Sequence, residues 1–383
     1  MRGAGEQAAP GRRAQAAGDA VRARKGEHLE LALDPAAEPA HGAGWDDLAL
    51  VHESLPELDL AEIDLRTELL GARLGAPLMI VGMTGGHPEA EEINAQLGAA
   101  AQRHGLGVGV GSQRAALLDR TLEPTFAAVR RMAPQAFVVA NIGVAQLVGQ
   151  DGRPALSLAD VDRIVEMVAA DALAVHLNFL EEMIQPEGDR CARGCAAAIA
   201  RLCEAVAVPV IAKETGGGIS PATAARLQQL GVAAVDVGGA GGTSFAAIEQ
   251  LRAERQGDPR GSALGETFAG WGIPTAVSIA AAARTDVPVI ASGGIRSGLD
   301  AAKALALGAR AVGVGRPLLR AALGGEAALD AWIGRFLDEL RTALFLTGCR
   351  APGQLRERPV VVSGRVRAWL EDLGCQVGGR AGR

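Results

Sequence analysis

The chain has 383 residues, 49% of them hydrophobic, enough for one large core or two ordinary ones. Its net charge of −6 excludes a nucleic-acid binder that works through a broad basic surface. No apolar run reaches membrane-spanning length and no signal peptide is recognised, so a soluble, cytoplasmic protein with no membrane partner is expected.

Residues 1–23 are rich in Ala, Gly and Arg without periodicity and are read as a disordered tail. Residues 24–76 form an N-terminal extension. Eight short, nearly continuous apolar runs follow, at 77–81, 105–110, 136–141, 172–175, 209–213, 233–237, 288–291 and 311–314. Such runs suit strands buried on both faces. Helical patterns lie between most of them, at 89–104, 192–206, 221–230, 275–283 and 297–307. The first opens with Glu89, Glu91 and Glu92, which suits the positive end of a helix. Eight β–α units in a row predict an α/β fold, a parallel (β/α)₈ TIM barrel over 24–350 with an N-terminal extension. A doubly wound sheet is less well supported, since no G-x-G-x-x-G follows the first strand. The connection 244–274 is too long for an ordinary turn and is expected to cover a site at the barrel mouth. Residues 329–346 close the barrel as a long amphipathic helix, leaving 351–383 as a C-terminal extension.

Cys191, Cys195 and Cys203 fall on one side of a predicted helix, but at no standard metal or cluster spacing; buried, reduced thiols are expected. Lysine is scarce: Lys25, Lys213 and Lys303 stand among many arginines, so a surviving lysine marks a place that needs a compact ammonium. Lys303, on a predicted helix, is read as incidental.

The polar motifs gather at strand ends. Past the fourth strand come His176, Asn178, Gln185, Glu187 and Asp189, a set that could hold an anion, a hard cation or both. The seventh strand ends in Ser292-Gly293-Gly294-Ile295-Arg296-Ser297-Gly298 and the eighth in Gly313-Val314-Gly315-Arg316, the usual phosphate-binding position of such barrels. Thr84, Asn141, Lys213 and Thr243 complete a ring of polar groups, which suits a flat, phosphate-bearing cofactor. FMN is the natural candidate, with Lys213 at the N1/C2 edge of its ring.

These residues, together with Arg24-Lys25-x-Glu27-His28, Met83-Thr84-Gly85-Gly86, Gly111-Ser112-Gln113-Arg114, Lys213-Glu214 and Ala240-Gly241-Gly242-Thr243-Ser244, give a chain that resembles the type 2, FMN-dependent isopentenyl-diphosphate isomerases over 24–350. The resemblance implies that FMN sits against Thr84, Ser112, Asn141, Lys213 and Thr243, with its phosphate on Gly293, Gly294, Arg296, Gly315 and Arg316. It implies that Arg24, Lys25, Arg114, His176 and Asn178 grip the substrate diphosphate, that Gln185 lies over the allylic carbons, with His176 and Gln185 as the catalytic pair, and that Glu187 binds Mg²⁺. The activity implied is conversion of isopentenyl diphosphate to dimethylallyl diphosphate in isoprenoid biosynthesis. Reduced FMN would serve as the acid/base, with NADPH as reductant. The arm at 24–28 would fold over a barrel mouth, its own or that of a neighbouring subunit in a homo-oligomer.

The chain departs from the family pattern at Glu181, usually glutamine, and at Phe179, often proline. The alternatives are another FMN-dependent barrel oxidoreductase or an inactive flavin-binding paralogue. A 2-hydroxy-acid oxidase would need an Arg-His-Gly motif after a late strand, but His176 is the last histidine. An inosine-phosphate dehydrogenase would need a nucleophilic cysteine after a central strand, and Cys191 is poorly placed for that.

Overall fold

The computed structural model describes residues 25–28, 30–37 and 42–375; the tail read at 1–23, and Arg24, lie outside the described residues. All eight expected strands form: β1 Leu78–Ile80, β2 Gly107–Gly109, β3 Val138–Gly143, β4 Ala172–Leu177, β5 Val210–Glu214, β6 Ala234–Asp236, β7 Val289–Ser292 and β8 Ala311–Val314. They pair in parallel and in chain order, and β8 returns to β1 to close a (β/α)₈ barrel.

Strand alternation sorts the apolar side chains into two layers. Met79, Val139, Ala174, Ile211 and Ile290 fill the barrel interior. Ala140, Ile142, Val175 and Ala212 point outward into the layer shared with the helices. The bottom is plugged by a hairpin of Thr67–Leu69 and Ala72–Leu74, whose Leu69 and Leu74 join the interior cluster. Buried apolar strands hold their register because a one-residue slip would turn each interior side chain outward.

Helices Ala90–His104, Glu123–Met132, Leu158–Met167, Cys195–Ala205, Pro221–Gln229, Thr275–Ala282, Gly298–Ala306 and Glu326–Phe345 surround the barrel. Ser157, Ser220 and Ser297 each accept a backbone N–H at a helix start, satisfying one of the donors a helix leaves open there. The connection at 244–274 is itself helical: Phe245–Gln256, capped by Ser244, and Pro259–Phe268, capped by Asp258 with proline in the first turn. Residues 351–375 pack onto the same body. Val360–Val362 pairs antiparallel with Leu48–Leu50, and helix Gly364–Asp372 lies against Thr275–Ala282. Lys303 donates to the carbonyl of Trp45 at 2.8 Å, which ties a barrel helix to the N-terminal extension.

Candidate functional site

The C-terminal ends of the strands open into a cavity of about 780 Å³, a volume typical of small-molecule sites. Of the residues expected to hold a flavin, Thr84, Ser112, Asn141, Lys213 and Thr243 line it, as do Gly293, Gly294, Arg296, Gly315 and Arg316. Lys25, Arg114, His176, Asn178 and Gln185 line it too. Glu187 is not among the lining residues.

Register builds the cavity floor. Gly143, His176, Lys213 and Asp236 are successive partners across β3, β4, β5 and β6. His176 Nδ1 lies 2.8 Å from Asn141 Oδ1, and Asn141 Nδ2 donates to the carbonyl of Val110 at 3.0 Å. With the amide oriented by Val110, Asn141 Oδ1 accepts, and the His176 proton is placed on Nδ1. Lys213 Nζ sits 3.0 Å from Asp236 Oδ2, and Ser292 donates to the same carboxylate. Lys213 stands out in the sequence and its partner Asp236 does not; the only signal is one carboxylate inside an otherwise apolar strand.

The segment after β4 forms helix Phe179–Ile184. Asn178 Nδ2 donates to Glu181 Oε2 at 3.2 Å and to Glu182 Oε1 at 3.0 Å, while the buried Asn178 Oδ1 has no hydrogen-bond partner among the described residues. Gln185 Nε2 donates to Glu181 Oε1 at 2.9 Å and to Glu249 Oε1 at 2.7 Å. Glu249 belongs to the long connection and also meets His28 Nε2 at 2.6 Å. Carboxylates and carboxamides thus alternate from Glu182 to the N-terminal arm, and His28, Glu181 and Glu249 bring ligand atoms within 4.8 Å of one another. Burial pushes the Glu182 carboxyl up. At Glu249 burial acts the same way, but the hydrogen bond and charge of His28, then Gln185 and Arg252, outweigh it and hold that carboxyl below its usual range. Burial pulls Arg252 down, yet its bonds to Glu187 and Glu27 leave it raised overall.

Glu187 Oε1 receives Arg252 Nη2 at 2.7 Å, and the same guanidinium reaches Glu27 and Glu249. Asp189, only 2% exposed, receives Arg114 Nη1 at 2.7 Å, together with Arg153 and Gln146. It therefore positions the expected diphosphate-binding Arg114.

The N-terminal arm lies over the mouth of its own barrel. Lys25 Nζ donates to the carbonyl of Ser112 at 2.8 Å and lies over the Phe126 ring. Arg316 donates to the carbonyls of Leu33 and Asp34, holding the arm against the end of β8. Thr84 Oγ1 is engaged by Asn94 at 2.6 Å. At the phosphate cradle, Gly293 and Gly294 have φ of 106° and 71°, and a Cβ on them would lie 2.2 and 2.4 Å from the carbonyls of Gly239 and Gly241. Only glycine allows the β6 and β7 loops to come so close. The Gly298–Ala306 helix begins directly behind them, which is the geometry that receives a phosphate.

Burial pushes the Glu214 carboxyl up to about 7, against the hydrogen bonds that Gly216, Gly217 and Gly218 donate to its Oε2. Its neighbour Lys213 extends into the cavity. The cysteines are all free, with Cys195 buried, Cys203 half-buried and Cys191 exposed, contrary to the expectation that all three are buried.

Residues 159–362 match the family described as FMN-dependent dehydrogenase. An isopentenyl-diphosphate delta-isomerase of Methanosarcina barkeri is 48% identical over 357 residues, covering 92% of this chain and 95% of that protein. One of Methanoregula boonei is 49% identical, covering 91% and 96%. A solved mandelate oxidase with a C4a-OH-FMN adduct superimposes with a TM-score of 0.58 at 20% identity, covering 87% of this chain and 95% of that one; it shares the fold.

Proposed function

The chain belongs to the isopentenyl-diphosphate delta-isomerase family and is an isomerase of FMN-dependent type; on that premise we propose that it converts isopentenyl diphosphate to dimethylallyl diphosphate with reduced FMN held in the barrel mouth. The observation that carries the reading is that one cavity joins the glycine cradle of β7 and β8 to Lys25, Arg114, His176 and Asn178.

FMN fits the residues present. The cradle accepts no side chain at Gly293 or Gly294, a helix N-terminus faces it, and the Lys213–Asp236 pair stands at the floor. When bound, reduced FMN would supply the proton exchange that a double-bond shift requires. The chain's own groups do the rest. Arg114, fixed by Asp189, and Lys25, fixed on Ser112, offer cations to a diphosphate. The Asn141 contact holds the His176 ring in one orientation toward the same ligand. The long connection and the arm cover the mouth through Gln185, Glu249 and His28 and limit access of water to the alkene.

Mg²⁺ does not fit at Glu187, whose carboxylate is bound by Arg252 outside the cavity lining. The carboxylates that do line the cavity beside Asn178 are Glu181 and Glu182. Hard oxygen ligands next to an unpaired amide oxygen suit a cation carried in by a diphosphate, and these are the residues that would hold it. NADPH as the source of electrons, a cytoplasmic location and a homo-oligomeric state complete the proposal. Within the described residues no helix is long and apolar enough to cross a membrane. The test is turnover of isopentenyl diphosphate by FMN-loaded protein under reducing conditions. Product formation supports the reading, and flavin-loaded, reduced, inert protein refutes it.

A further inference from the structure

The opposite end of the barrel carries a second concavity, of about 410 Å³. Its walls are the bottom hairpin, the segment Leu305–Arg310 at the end of the Gly298–Ala306 helix, and the short turn Pro352–Glu357. Four guanidinium groups line it, those of Arg66, Arg73, Arg310 and Arg356, against one carboxylate, Glu68. That is a local excess of positive charge in a chain whose net charge is −6.

The arginines differ in how far they are already engaged. Arg66 is bound by Asp64 through two nitrogens. Arg310 gives only Nε to the carbonyl of Glu68, so its charge is not neutralised by that bond. The guanidinium groups of Arg73 and Arg356 have no hydrogen bond or ion pair among the described residues. With Arg66 paired to Asp64 and only Glu68 facing the other three arginines, the hollow keeps a net positive charge, and an anion relieves the repulsion among them. Arginine forks also match the paired oxygens of phosphoryl groups better than ammonium groups do. The hollow is too small for a macromolecular groove, and its floor at Leu305, Ala309 and Pro352 is buried, so little apolar surface is offered to a tail.

We propose that this pocket binds a small anion carrying two linked phosphoryl groups, with Arg73, Arg310 and Arg356 as its ligands. Such an anion could be inorganic diphosphate or the head of a diphosphate ester, and both present the same chemistry to the pocket.

The test is calorimetric titration of the FMN-loaded full chain with inorganic diphosphate and, separately, with an alkyl diphosphate. Wild-type protein is compared with Arg73→Gln/Arg356→Gln and, to preserve charge, with Arg73→Lys/Arg356→Lys. Two diphosphates per chain are expected in the wild type, one at each end of the barrel. In the glutamine variant the second should weaken about tenfold or more, with an intermediate loss in the lysine variant. Equal binding of both probes at this end marks head-group recognition; a clear preference for the ester would contradict the small-anion assignment. If the mouth does not bind diphosphate, the count falls from one to none in the glutamine variant, which separates failure of the isomerase reading from failure of this one. A count that the substitutions leave unchanged, or wild-type binding at the mouth alone, overturns the proposal.

Discussion

Arg252 Nη2 lies 2.7 Å from Glu187 Oε1, and that contact takes the most exposed carboxylate of the Gln185–Asp189 motif away from the cavity. The same arginine is 8% exposed at its side chain and also bonds Glu27, on the N-terminal arm. It therefore fastens three parts of the chain together: the arm, the segment after β4 and the long connection after β6.

Replacing Glu187 should consequently do little to metal dependence. Glu187→Gln keeps an acceptor for Arg252, and its partly exposed pair is worth about 1 kcal/mol or less. Glu182→Gln, inside the cavity, should raise the Mg²⁺ concentration needed for half-maximal activity by about 10- to 100-fold. Mg²⁺ titrations of the two variants check this, and the reverse order would return the ligand role to Glu187.

Asn141 orients the ring of His176, the group proposed to meet the diphosphate. Asn141→Ala frees the imidazole that the 2.8 Å contact orients. The loss of one hydrogen bond between uncharged groups costs about 0.5–1.5 kcal/mol, so KM for the diphosphate should rise roughly 2- to 10-fold. Steady-state kinetics measure the rise, and the His176 ring nitrogens, observed by NMR, should show mixed tautomers.

Asp189 is the electrostatic anchor of Arg114. Asp189→Ala leaves Arg114 and Arg153 without their buried partner. Both arginines keep access to solvent, so losing their common acceptor costs about 1–3 kcal/mol rather than the full cost of an unpaired buried charge. Urea denaturation should show a loss of that order, and Asp189→Asn should lose less.

Glu214 makes stability depend on pH. Its carboxyl is raised from 4.5 to about 7 in the folded chain, so the folded state binds the proton more tightly than the unfolded state. The stabilisation is fully present below pH 4.5 and is lost as pH rises through about 7. The full span corresponds to about 3 kcal/mol. Denaturation midpoints taken across this window should fall in the wild type, and Glu214→Gln should flatten the slope.

The barrel was legible because its strands are apolar on both faces and its helices start at Ser or acidic residues, features that local sequence carries. The close approach of the β6 and β7 loops was legible because backbone contact at Gly293 and Gly294 demands glycine. Asp236, Glu182, Glu249 and Arg252 were not. Each is an ordinary charged residue in sequence, and its role arises only when register or a distant helix sets it beside Lys213, Asn178, Gln185 or Glu187. The connection at 244–274 was recognised as a cover for the mouth, but not as two capped helices, because its Gly and Pro content reads as loop. The arm's reach to its own barrel rests on contacts separated by 87 and 221 residues, which no local pattern encodes.

In the proposed function this cavity shifts a double bond without net redox change, using reduced FMN and the groups around His176. Its most direct test is anaerobic incubation of FMN-loaded protein with isopentenyl diphosphate in D₂O, followed by NMR. Dimethylallyl diphosphate carrying solvent deuterium is expected with reduced flavin, none with oxidised flavin, and no change in flavin redox state over many turnovers. Stoichiometric flavin oxidation or reduction accompanying substrate loss, or reduced protein that leaves the substrate unlabelled and unconverted, would contradict it.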